Sequence, residues 1–77
     1  MNAIVNSSIA LARSYRNETG RHHGVVVIFD GVVSGWSNVL RDPQNWRPGC
    51  IAITDSDTCY CAMGGNDDDG AIEWRPF

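Results

Sequence analysis

Apolar residues recur along the start of the chain with the spacing of one helical face. Ile4, Val5, Ser8, Ile9, Leu11, Ala12 and Tyr15 follow the i, i+4, i+7, i+11 rule and span an arc of about 160° at ~100° per residue. This predicts a helix over residues 3–16. Asn2 is the expected N-cap, Arg13 and Arg16 suit the C-terminal end of the helix dipole, and Gly20 is the stop signal. The pattern then changes. Gly24-Val25-Val26-Val27-Ile28-Phe29 is a short β-branched run, and Val32-Val33-Ser34-Gly35-Trp36-Ser37 follows across Asp30-Gly31. Asp-Gly between two such runs predicts a hairpin, because a type I′ turn needs positive φ at both central residues.

Residues 38–49 hold two prolines and no clean period, so they read as an ordered loop with one helical turn expected at Val39–Asp42. Cys50-Ile51-Ala52-Ile53-Thr54 and Thr58-Cys59-Tyr60-Cys61-Ala62-Met63 flank the polar turn Asp55-Ser56-Asp57 and read as a second hairpin. In Ala71-Ile72-Glu73-Trp74-Arg75 the alternation places Ile72 and Trp74 on the core side of a final edge strand. A helix followed by four to five strands with no helical crossover predicts an α+β fold, with the N-terminal helix packed on a small antiparallel sheet. No repeat, linker or domain boundary interrupts residues 1–77, which read as one domain.

At 77 residues a chain buries only a little over ~60% of its surface, which leaves little room for an internal substrate cavity. An enzyme is therefore not expected. The chain has no stretch near the ~20 apolar residues that span a bilayer, and residues 1–8 lack a basic region followed by an apolar core. No membrane association is expected, and the expected compartment is the cytoplasm.

Charge is distributed unevenly. Residues 1–41 carry Arg13, Arg16, Arg21 and Arg41 against Glu18 and Asp30, a balance of +2. Residues 42–77 carry seven acids against Arg47 and Arg75, a balance of −5. Lysine is absent, so every fixed cation is a guanidinium suited to bidentate contact. The acidic half contains Gly64-Gly65-Asn66-Asp67-Asp68-Asp69-Gly70 between two strands. Three adjacent carboxylates repel one another and need water or a cationic partner, so this loop is expected to project as a negative tip.

Other candidate chemistry is weaker. Cys59 and Cys61, with Cys50 on the neighbouring strand and His22 or His23 nearby, suggest a Cys₃His zinc site. Cys-x-Cys along a strand separates the Cβ atoms by roughly 7 Å, however, unlike the Cys-x₂₋₄-Cys knuckle of structural zinc sites. Three thiols without a secretory signal read as reduced core cysteines, with no metal or cofactor. A calcium-loop frame ending at Gly70 would start on Gly65 and place its twelfth position on Pro76, which fails on both counts. No Gly-x-Ser-x-Gly elbow surrounds Ser34. Trp46 lies between Arg41 and Arg47 on a polar, proline-flanked segment. Trp and Arg are enriched in interface hot spots, although Trp46 could equally fold back as a lid over one end of a small core.

In size, acidity and possession of an acidic tip, the chain resembles the small inhibitors that phages and mobile elements deploy against host defence, of which anti-CRISPR proteins are the best-known group. Such inhibitors share no motif, and no residue role is carried over from them. The resemblance implies a non-enzymatic inhibitor in the host cytoplasm, monomeric or weakly dimeric. Its partner would be a protein whose basic, nucleic-acid-binding surface an acidic patch can occupy. The expected contact residues are Asp67, Asp68, Asp69, Trp46, Arg41 and Arg47. The alternative is a nucleic-acid-binding or transcription-regulating module using Arg13, Arg16 and Arg21 on phosphates, since the acidic half disfavours phosphate.

Overall fold

The computed structural model describes residues 3–77. Asn2, expected as the N-cap, and the side chain of Ile4, expected on the buried face, lie outside the described part. The helix α1 covers Ala3–Thr19. It runs one turn past the apolar pattern because nothing in Asn17-Glu18-Thr19 breaks it. It ends where Gly20, at φ 75°, donates its N–H to the Arg16 carbonyl at 2.8 Å.

Five strands follow: β1 Val25–Phe29, β2 Val32–Ser37, β3 Ile51–Ile53, β4 Cys59–Met63 and β5 Glu73–Pro76. They form one sheet in the order β2-β1-β3-β4-β5, with every pairing antiparallel. The fold is α+β, as the pattern predicts. The first hairpin turns through Asp30 at φ 52° and Gly31 at φ 79°, the two positive values a type I′ turn requires. Val27 pairs with Gly35 and Ile28 with Val33, so Ser34 is an extra residue bulged out of β2.

The sheet is covered on both faces, which explains why β1 and β3 are continuous apolar runs rather than alternating ones. Val26, Ile28, Ile51 and Ile53 pack with Ala12, Ile9, Leu11 and Tyr15 of α1. Val25, Val27, Ala52 and Ala62 face the other way, with Cys50, Ala71, Leu40, Trp46 and Trp74. The second layer therefore comes from the long β2–β3 connection and the β4–β5 loop, not from a regular element.

Two local expectations are corrected. The helical turn in the β2–β3 connection is a 3-10 turn at Pro43–Asn45, not at Val39–Asp42. Asp42 adopts φ 51° and Pro43 supplies the fixed φ that opens the turn. Ile72 is not on the core side; it is 70% exposed. β5 begins only at Glu73, and Ala71, 3% exposed, is the residue that the incoming loop delivers to the core. Trp74 is half-buried as the alternation requires, with its indole N–H donating to the Arg41 carbonyl. Among the described residues no helix is long and apolar enough to cross a membrane.

Candidate functional site

The acidic loop is braced from within. The Asn66 side-chain oxygen accepts from the N–H groups of Asp68 at 2.9 Å and Asp69 at 2.8 Å, while its amide donates to the Asp69 carboxylate at 3.1 Å. Asn66 and Gly70 also exchange two main-chain bonds. Asn is the residue that forms such a turn best, because its short side chain reaches the backbone two and three residues on. The outcome is a fixed loop with Asp67 and Asp68 exposed at its tip.

The base of the loop is pressed onto the tryptophan segment. Ala71 donates its N–H to the Trp46 carbonyl at 2.9 Å. Gly70 is buried at φ 84°, and a Cβ there would overlap the Gln44 carbonyl. Trp46 in turn lies half-buried against Gly35 of β2, where a Cβ would come within 2.7 Å of the indole. Two glycines thus allow the loop, the 3-10 turn and the bulged strand to meet.

Their meeting forms a cleft of about 370 Å³ lined by Phe29, Ser34, Trp46, Arg47, Asp67 and Asp68, among others. Of the six expected contact residues, four are brought together here: Asp67, Asp68, Trp46 and Arg47. Asp69 turns its carboxylate to Asn66, and Arg41 lies outside the cleft beside Asp42, at 3.5 Å. The Arg47 guanidinium lies over the Phe29 ring, 5.0 Å from its centre. Phe29 and the bulged Ser34 are among the lining residues that lie outside the expected contact set.

The ion pairs among the described residues are Arg13–Asp57, Arg41–Asp42 and Arg75–Glu73. None involves Asp67, Asp68 or Asp69, so the three adjacent carboxylates have no cationic partner among the described residues.

The arginines of the first half are placed differently. Arg16 is 7% exposed, and its guanidinium donates to the carbonyls of Arg21, His23, Gly24 and Ile53 at 2.9–3.1 Å. It is a cross-brace from helix to sheet, with its donors committed to backbone. Arg13 reaches Asp57 at 2.7 Å, and Arg21 stacks on Trp36 with its guanidinium 4.5 Å from the ring centre.

The cysteines do not converge. Cys50 packs in the Trp46 layer, whereas Cys59 packs in the helix layer. Burial pushes all three thiols above the ordinary range, and Asp57 adds to the effect at Cys59. Among the described residues no group of three or more His, Cys, Asp or Glu side chains is placed to hold a metal ion. The chain matches no protein-family model, and neither a curated protein nor a solved structure matches it.

Proposed function

We propose that the protein is a non-enzymatic binding module that engages a basic, nucleic-acid-binding surface on a partner protein through the Gly64–Gly70 loop and the adjoining Trp46 cleft. The observation that carries this reading is the set of three adjacent carboxylates on an internally braced loop, with no cation paired to them among the described residues. Exposed like charges repel only weakly in water, but held side by side they set up a negative field that a cationic groove on a partner complements. Such a module acts by occupancy, competing with DNA or RNA for arginines and lysines that evolved to hold phosphate. The resemblance to phage and mobile-element inhibitors makes a host-defence complex the partner of choice. The commitment of Arg16 to four carbonyls weighs against phosphate binding by the N-terminal arginines.

The test is affinity capture from a host lysate with the wild-type chain and the D67N/D68N/D69N variant side by side. The wild type is expected to retain a nucleic-acid-handling protein that added DNA or RNA displaces, and the variant to lose it. Capture that is the same for both proteins would contradict the reading.

A further inference from the structure

We propose that the trough between α1 and Phe77 receives an amphipathic helix of the partner protein, apolar on one face and basic beside it. The inference deepens the binding-module reading above and rests on it. Of the five strands, α1 packs on β1, β2 and β3 and leaves the β4–β5 half of that face open. Strands lie ~4.8 Å apart, so the open half is ~10 Å wide, which is the diameter of one helix with its side chains.

The open half is apolar where it meets α1. The pairing register sets Ile28, Ile51 and Cys61 in one row across the sheet, and these three floor a trough of about 600 Å³ walled by Leu11 and Phe77. Met63 shares the face of Cys61 two residues further along β4. It is 40% exposed and Phe77 is 51% exposed, so the apolar floor continues into solvent-facing apolar surface. On the outer side Arg75 and Glu73, opposite Cys61 and Met63 in the register, form an ion pair with each other at 2.9 Å. A contiguous apolar patch with a polar rim marks an interaction site, whereas single exposed apolar residues do not.

Charge selects the occupant. One step beyond the row of Ile28, Ile51 and Cys61 stand Asp30, which lines the trough, and Met63, from which the chain enters the acidic loop at Gly64. Asp30 has no ion pair among the described residues, while the neighbouring cations Arg13 and Arg75 are engaged by Asp57 and Glu73. The open end of the trough is therefore negative and complements a basic partner. A second copy of this chain does not supply the helix. Its α1 commits Leu11, Ala12 and Tyr15 to its own sheet and carries Asn6, Arg13, Ser14 and Asn17 on its outer side. A partner helix lays residues i, i+3, i+4 and i+7 on the floor and turns the cations of its flank to Asp30 and the loop.

The experiment titrates a leucine–lysine peptide of about 14 residues, with leucine at the helical spacing, into the isotope-labelled chain and follows side-chain methyl signals. One control peptide has the same composition with leucine and lysine alternating, and a second has glutamate in place of lysine. The first peptide is expected to move the Leu11, Ile51 and Met63 signals saturably, while Val27 and Leu40 on the opposite face stay in place. Both controls are expected to bind about tenfold more weakly or worse, and Phe77→Ser to weaken the first peptide about tenfold through the lost aromatic contact. Asp30→Asn, which keeps a residue suited to the turn, is expected to weaken it about threefold. Equal binding of either control, binding that either variant leaves unchanged, or no saturable shift would overturn the proposal. Movement of the same methyl signals on concentrating the chain alone would overturn it too, by making a second copy the occupant. If the peptide fails while lysate capture still depends on the three aspartates, the helix site falls and the binding module stands. If the peptide binds as expected while capture is independent of the aspartates, it is the wider reading that falls.

Discussion

The main-chain N–H of Ala71 donates to the carbonyl oxygen of Trp46 at 2.9 Å, and this bond joins the two segments that carry the cleft. It exists because the residue before it, Gly70, passes under the Gln44 carbonyl where any side chain would collide.

Gly70→Ala is therefore expected to cost about 2 kcal/mol or more, since it adds a steric overlap to a positive φ that L-residues resist. In a domain of this size that lowers the melting temperature by ~8 °C or more. Gly31→Ala is the control. Its φ is also positive, at 79°, but a Cβ there meets nothing within 4 Å, so only backbone strain of about 1 kcal/mol is expected. Thermal unfolding of the two variants checks the difference.

Arg16→Met should be among the most damaging substitutions in the chain. It keeps the aliphatic stem but removes the donors to four carbonyls, leaving buried acceptors at the Gly24 and Ile53 ends unsatisfied. Each bond to a charged donor contributes about 1.5–3 kcal/mol, so a loss of about 3 kcal/mol or more is expected. Arg16→Lys should recover part of this, because an ammonium has three donors and no fork. Urea unfolding measures both.

The thiols, Cys50 buried and Cys59 and Cys61 half-buried, set a pH limit. Because burial raises their folded-state pKa values above the ordinary 9.0, the thiols hold protons in the folded chain that the unfolded chain releases. Their contribution is complete below pH 9 and is lost as pH rises from there through the folded values. Stability measured by urea unfolding should fall above pH 9, and Cys50→Ala should flatten that fall while lowering stability at neutral pH. In the folded chain at pH 7 all three thiols should react slowly with an alkylating reagent, and quickly once it is unfolded.

The elements were legible where one local rule governs. The period of residues 5–15, the Asp30-Gly31 turn and the β-branched runs each identify themselves without reference to the rest of the chain, and the projecting acidic loop follows from Gly64, Gly65 and Gly70 bracketing three carboxylates. The second layer was not legible. No period marks Leu40, Trp46 and Ala71 as core, because they reach the sheet along irregular backbone set by positive φ at Asp42 and Gly70. Ile72 was misplaced for the same reason: alternation tells which residues share a face but not where the strand begins. The bulge at Ser34 arises from pairing with β1, a relation between segments that β2 alone does not carry. That is why Asp67, Asp68, Trp46 and Arg47 could be proposed singly, while the cleft uniting them and its Phe29 and Ser34 walls could not.

In the proposed function, the carboxylates of the braced loop, which have no cationic partner among the described residues, steer the chain to a basic partner. The most direct measurement is the association rate of the wild-type chain and of D67N/D68N/D69N with the captured partner at two salt concentrations. The variant is expected to associate about tenfold or more slowly at low salt and with a flatter salt dependence, at nearly unchanged thermal stability because exposed charges contribute little to folding. Equal rates with equal salt dependence would rule out steering by the loop.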